Sequence, residues 1–260
     1  MSKKLIRSGI LVSAATLASR ILGLVRDIVI AHLLGAGVAS DVFFFANRIP
    51  NYLRRLFADG AFNQAFVPVM TEYKAKGEHQ AVRDLLAVTM GTLGVVISVV
   101  TVLGVLGSTV LSALFGWGWF MDWWHGGPDA GKFELASLLL KITFPYLWFV
   151  TFTAMSGAVL NTFGYFGVSS FTPTFLNIVL IIVAWWIAPH MAQPAVGLAI
   201  GIFVGGLVQL LYQIPYLWKL GMIVAPKWGW HHPGVVKIRT LMIPALFGVS
   251  VSQLNLMINT

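Results

Sequence analysis

Five arginines and three aspartates fall between positions 20 and 59: Arg20, Arg26, Asp27, Asp41, Arg48, Arg54, Arg55 and Asp59. A guanidinium is a planar fork of donors that stays protonated and grips carboxylate or phosphate oxygens in pairs. Five such groups against three carboxylates leave two positive charges for a ligand to balance. A ring of arginines around a cavity holds a diphosphate far better than a single lysine does. On a helix turning 100° per residue, Arg20 and Asp27 share a face, whereas Arg26 projects roughly 100° away from Asp27. Asn47, Asn51 and Arg54 follow i, i+4, i+7, and Asp41, Arg48 and Arg55 repeat on the neighbouring stripe. Pro50 lies between them and predicts a kink or break near Ile49. The competing role for these charges is structural: snorkelling to the interface, and ion pairs with Asp27, Asp41 and Asp59.

The elements that carry these groups are apolar. Of 260 residues, 58% are hydrophobic and 10% charged, and mean hydropathy is +0.83; a soluble domain carries about 25% charged residues. From Ile142 to Trp218 there is no Asp, Glu, Lys or Arg. With about 20 apolar residues per bilayer crossing, the chain reads as an all-α polytopic membrane protein. The long unbroken runs exclude a β-barrel, which would alternate in short segments. Seven spans are predicted: Ser8 to Leu34, Val42 to Met70, Leu85 to Phe115, Phe133 to Leu160, Val168 to Ala188, Val196 to Trp218 and Ile238 to Thr260. An Arg or Lys at the centre of such a span costs about 2.5–3.5 kcal/mol, so the five arginines and Lys141 need partners or water.

The remaining basic residues orient the chain. Lys3, Lys4, Arg7, Lys74, Lys76, Arg83, Lys219, Lys227, Lys237 and Arg239 fall on one side, and only Lys132 falls on the other, beside Asp122 and Asp129. The amino terminus is therefore expected in the cytoplasm, and this asymmetry explains most of the net charge of +8 without nucleic acid. The apolar stretch continuing to Leu34 fits a retained first helix better than a cleaved signal peptide. The absence of cysteine removes disulfides, thiolate nucleophiles and thiolate metal ligands. No phosphate-binding glycine loop, serine-hydrolase elbow or zinc-protease motif occurs, so neither an enzyme nor a cofactor is expected. Trp117, Trp119, Trp123, Trp124, Trp185 and Trp186 read as interface anchors. His231-His232 reads as a solvated loop, and Gly201, Gly205 and Gly206 as a close-packing face. The chain stops within an apolar segment, so the intact protein is expected to continue.

A family resemblance rests on many motifs in order. Ser19-Arg-Ile-Leu-Gly-Leu-Val-Arg-Asp27, Gly35-Ala-Gly-Val-Ala-Ser-Asp-Val-Phe43, Asn47-Arg-Ile-Pro-Asn-Tyr-Leu-Arg-Arg-Leu-Phe-Ala-Asp-Gly-Ala-Phe62 and Gln64-Ala-Phe-Val-Pro68 closely resemble the amino-terminal region of the MurJ (MviN) lipid II flippases. Those flippases belong to the multidrug/oligosaccharidyl-lipid/polysaccharide exporter superfamily. Thr143-Phe-Pro-Tyr146, Gly157-Ala-Val-Leu-Asn161, Pro173-Thr-Phe-Leu-Asn177, Gly205-Gly-Leu-Val-Gln-Leu210 and Gly248-Val-Ser-Val-Ser-Gln253 extend the likeness along the chain. The resemblance implies a carrier of two six-helix lobes plus two extra helices. Such a carrier moves the undecaprenyl-diphosphate-linked peptidoglycan precursor, lipid II, to the outer leaflet of the bacterial inner membrane. By motif match, Arg20, Arg26, Arg54 and Arg55 correspond to the cationic cavity, Asp41 to a required acid, and Asp27 to a residue beside the lateral portal. Asp59 stands where family members often carry Glu.

Residues 1–218 would form the amino-terminal lobe, 219–237 a cytoplasmic connection and 238–260 a truncated seventh helix. The carboxy-terminal lobe, another cavity arginine and the lipid-tail groove are then missing. Alternating access needs one lobe rocking against the other. Rival readings are a flippase for another polyprenyl-linked glycan and a truncated, non-transporting remnant. A drug exporter would prefer an acidic cavity, and a polyprenyl-phosphate enzyme would need clustered acids for Mg²⁺, which Asp27, Asp41 and Asp59 do not supply.

Overall fold

The computed structural model describes residues 3–55 and 61–258, with side chains over 9–55 and 61–248. Every element among them is helical. The helices are α1 (Lys3–Leu34), α2 (Val38–Leu53), α3 (Asn63–Ala75), α4 (His79–Leu106), α5 (Ser108–Phe115), α6 (Trp117–His125), α7 (Ala130–Thr143), α8 (Tyr146–Thr162), α9 (Phe166–Ile182), α10 (Pro194–Lys219) and α11 (Pro233–Ile258). Among the described residues, His79–Leu106, Ala130–Thr162, Phe166–His190 and Pro194–Lys219 are long and apolar enough to cross a membrane. The chain is an all-α, multi-pass membrane protein.

Several predicted spans are less regular than the hydropathy suggested. The stretch from Val42 to Met70 is two helices, α2 and α3, joined through wide π-helical turns at Arg54-Arg55 and Ala61-Phe62. Pro50 does not break α2 near Ile49: the helix runs on to Leu53, and the irregularity falls a turn later. Proline withholds one N–H from the preceding turn, but its fixed φ is compatible with a helix that has packing to hold it. The third span divides at Gly107 into α4 and α5, and the fourth is interrupted at Phe144-Pro145 between α7 and α8. The tryptophan-rich connection is itself helical, as α6. Trp117, Trp124, Trp185 and Trp186 are all exposed.

The interior is built around α8, whose residues are buried on nearly all sides and which packs on α3, α4, α9 and α10. Helices in lipid gain little from apolar burial, so close approach through small residues does much of the work. The glycine face of α10 is used this way. A Cβ at Gly205 would lie 2.5 Å from Leu176 Cδ1, and one at Gly206 2.6 Å from Tyr146 Cδ2. α1 packs chiefly on α9, α2 on α7, and α11 on α3. α1, α2, α8, α9 and α10 thereby surround one open space.

Candidate functional site

That space is a cavity of about 1090 Å³, lined by side chains of α1, α2, α3, α8, α9, α10 and the π turn after α2. Among the described residues, four arginines reach it, Arg26, Arg48, Arg54 and Arg55, against one carboxylate, Asp27. A concave site of this size can take a ligand larger than a simple anion.

The local geometry of each arginine follows from its neighbours. Arg26 Nε and Nη2 both donate to Asp27 Oδ1, at 2.9 and 2.6 Å, and Nη1 donates to Asn177 Oδ1 at 2.9 Å. The expected face-sharing of Arg20 with Asp27 is thus not the pair that forms. The Arg26 side chain is long enough to cross the 100° separation and bind the adjacent carboxylate. Asn177, buried on α9, completes the link by donating from Nδ2 to the Ser19 carbonyl at 3.0 Å.

On α2 the i, i+4, i+7 stripe is a relay. Asn51 Nδ2 donates to Asn47 Oδ1 at 2.9 Å and to the Asn47 carbonyl at 3.0 Å. Its amide nitrogen being spent, Asn51 presents its oxygen to Arg54 Nε, 3.4 Å away. Arg48 and Arg55 are exposed to the cavity, and among the described residues neither donates to a partner.

Two predicted residues lie elsewhere. Arg20 is exposed on α1 outside the lining. Asp41 faces Lys132 of α7, with Nζ 3.7 Å from Oδ2, and Lys132 also reaches Asp129 Oδ1 at 3.1 Å. Lys132, expected on the far side beside Asp122 and Asp129, is thus also a clasp between α2 and α7. Asp59 lies outside the described residues. Lys141 is exposed on α7 and does not line the cavity. His232 Nδ1 accepts from the Gly234 N–H at 3.2 Å, at the start of α11.

Sequence reasoning about charges missed the uncharged members of the lining, above all Asn177, Gln209 and Gln213. The available signal was their occurrence inside the stretch without charges, where a buried amide needs a reason.

Comparison with known proteins follows this geometry. Residues 30–260 match the family described as "Lipid II flippase MurJ". A Vibrio cholerae protein named "Probable lipid II flippase MurJ" is 68% identical over 260 residues, all of this chain and 50% of the relative. A Haemophilus influenzae protein of the same name is 64% identical over 245 residues, 94% of this chain and 48% of its own. "Lipid II flippase MurJ" of Burkholderia cenocepacia is 39% identical, covering 98% of this chain and 49% of its own. The chain spans about half the length of these relatives. Among solved structures, a transporter of the MOP superfamily from Pyrococcus furiosus, described as having a binding pocket of reverse polarity, superposes with a TM-score of 0.70 at 11% identity. The match covers 96% of this chain and 54% of that one, and shows a shared fold. The family match over nearly the whole chain, and identities this high along it, establish that this multi-pass protein of the bacterial inner membrane belongs to the MurJ family.

Proposed function

We propose that the chain is the amino-terminal lobe of a lipid II flippase, and that its cavity receives the diphosphate of the undecaprenyl-linked precursor. The observation that carries this reading is the arginine-lined cavity, where the described residues set Arg26, Arg48, Arg54 and Arg55 against one carboxylate. Diphosphate oxygens match the guanidinium fork, and a partly desolvated site strengthens each contact. Arg20 lies outside the lining, so its role rests on the motif match. Asp41 acts through its clasp to Lys132, and Asp27 orients Arg26 at the cavity edge.

In this proposal residues 1–218 form one six-helix lobe, 219–237 a cytoplasmic connection and 238–260 the start of a second lobe, seven spans with the amino terminus inside. α2 with α3, α4 with α5, and α7 with α8 each count as one span. Transport makes and breaks no bond. The captured head group changes side when this lobe rocks against a second one.

The test joins this chain to the carboxy-terminal half of the Vibrio cholerae relative and expresses it in cells depleted of their own flippase. Arg20→Ala, Arg26→Ala, Arg54→Ala and Arg55→Ala should each abolish growth support at near-normal membrane abundance. Arg→Lys should restore it partly, keeping the charge without the fork. A structural role predicts instead that Arg26→Ala lowers abundance by stranding Asp27, and that Asp27→Asn restores it. Loss of abundance in all four alanine variants, or full growth with any two, overturns the ligand-site reading.

A further inference from the structure

A guanidinium has five N–H groups, and Arg26 spends three of them inside the protein: Nε and Nη2 on Asp27, and Nη1 on Asn177. By count, one N–H is left on each terminal nitrogen, a pair that matches two oxygens of one phosphate. The plane of the guanidinium decides where that pair points. Asp27 cannot fix the plane alone. Both of its bonds are made through one oxygen, Oδ1, at 2.9 and 2.6 Å, so the carboxylate holds the guanidinium at a single point about which it can swing. The Asp27 side chain is also 62% exposed, where solvent competes for it.

The second point comes from α9. Asn177 is buried, at 6% exposure, within the stretch that carries no charge, and its partners assign the two ends of its amide. The Ser19 carbonyl can only accept, so Nδ2 faces it, at 3.0 Å. Oδ1 is thereby turned to Arg26, which can only donate, and accepts from Nη1 at 2.9 Å. Ser19 and Arg26 are seven positions apart, two turns along one face of α1, so one amide grips α1 at two levels. α1 packs chiefly on α9, which keeps the amide in place against both. A side chain held at one end by backbone is a stiff support for a guanidinium at its other end.

We propose that Asn177 is a positioning residue for Arg26: with Asp27 it forms a two-point mount that fixes the guanidinium plane and aims the two remaining N–H groups at the ligand. The inference rests on the diphosphate reading above. Asn177 acts through the arginine. The competing role is interhelical glue, an amide that only ties α9 to α1 through the Ser19 carbonyl.

The experiment uses the full chain in nanodiscs of zwitterionic lipid, with a structural readout and a binding one. The first is the nitrogen NMR signals of the Arg26 terminal nitrogens, assigned by their loss in Arg26→Lys; the second is affinity for undecaprenyl diphosphate. In the unsubstituted chain the two Nη signals should be resolved, because a guanidinium held at two points rotates slowly. Asn177→Leu, similar in size and apolar, should merge them and weaken undecaprenyl diphosphate about tenfold, as loss of one charge-assisted contact does. It strands no charge, since the Ser19 carbonyl lies within the α1 ladder and Arg26 keeps Asp27. In an Arg26→Gln background the same change should weaken binding no further, because the two residues act as one unit. Asn177→Asp keeps an acceptor for Arg26 and gives up the donor to Ser19, so it should keep the signals resolved, whereas glue predicts that it fails as the leucine variant does. Four results each overturn the proposal: merged signals in the unsubstituted chain, merged signals in Asn177→Asp, resolved signals that persist in Asn177→Leu, or equal weakening by Asn177→Leu with and without Arg26. If Asn177→Leu merges the signals while affinity for undecaprenyl diphosphate does not change, the mount stands and the diphosphate reading fails.

Discussion

The cavity and the edge formed by α3, α4, α10 and α11 are both rich in basic residues, and they use them differently. At the edge the cations are spent. Lys74 donates to the Thr162 carbonyl at 2.5 Å, and Arg83 donates to the carbonyls of Gly221 and Ile223 just beyond α10. Lys237 and Lys76 both pair with Glu72, and Arg239 lies over the Trp230 ring, 4.1 Å from its centroid. In the cavity Arg26 is held between Asp27 and Asn177, and Arg54 donates to the Asn51 oxygen. Arg48 and Arg55 donate to nothing among the described residues. Cations that close the protein's own helix ends and carboxylates act as clasps. In the proposed reading, cations facing open space are a reserve for a ligand.

The sharpest way to break this distinction is to neutralise one group of each kind. Arg48→Gln combined with Arg55→Gln should weaken undecaprenyl diphosphate binding tenfold or more, since hydrogen bonds to charged groups contribute about 1.5–3 kcal/mol each. The melting temperature should hardly move. Arg83→Gln should do the reverse. The carbonyls it satisfies beyond α10, one part-buried and one exposed, exchange their donor for water, at a cost of about 0.5–1.5 kcal/mol, with binding unchanged. A common response from the two variants would show that the regions do not differ in kind.

A smaller effect is expected from packing at the edge. The segment between α10 and α11 lies along α4, where the Lys227 N–H donates to the Ala87 carbonyl at 2.9 Å and the Gly229 N–H to Thr92 Oγ1 at 3.2 Å. A Cβ at Gly91 would lie 2.1 Å from the Lys227 carbonyl oxygen and 2.5 Å from its carbon. Because the obstacle is backbone, the strap must lift. Gly91→Ala should cost about 1–3 kcal/mol, as overpacking typically does, and should speed hydrogen exchange at Lys227 and Gly229. Unchanged exchange would show that the strap is not held against α4.

The sequence made most of the cavity's charged members legible because an arginine inside an apolar span must be explained, and of the five in two spans all but Arg20 line one polar space. It also made the α2 stripe legible, since Asn47, Asn51 and Arg54 keep helical spacing and form a relay at that spacing. Partnerships between distant segments were not legible. Arg83 and Gly221 are 138 positions apart, and Arg83 read only as a topology signal. Arg26 was assigned away from Asp27 by helical angle, a rule for Cβ directions that a long guanidinium arm escapes. Helix interruptions were also hidden, because hydropathy averages over Gly107 and over Phe144-Pro145 as if each span were continuous. Gln209 and Gln213 carry no charge, and their hydrogen bonds to Thr172 are a matter of geometry alone.

The smallest effect concerns the clasp from α3 to α11. Glu72 is exposed, and its carboxyl titrates below the ordinary value of 4.5, held there first by its hydrogen bond and charge interaction with Lys237 and then by Lys76. A carboxylate whose folded-state pKa is depressed contributes stability that is present above its unfolded pKa and lost as pH falls through the folded one. The contribution should therefore be intact at neutral pH and disappear only below about 4.5. Because the group faces solvent, the effect is small and screened by salt. Comparing melting temperatures of the unsubstituted chain and Glu72→Gln between pH 7 and pH 3 isolates it: the unsubstituted chain should be slightly more stable at pH 7, and the difference should close in acid or at high ionic strength. Lys237→Met should show the same loss at pH 7, with Glu72→Gln adding little on top of it, because the two changes remove one interaction. If Glu72→Gln is as stable as the unsubstituted chain at every pH, the exposed pair holds nothing, and the clasping role belongs to the cations that satisfy backbone carbonyls, Lys74 and Arg83.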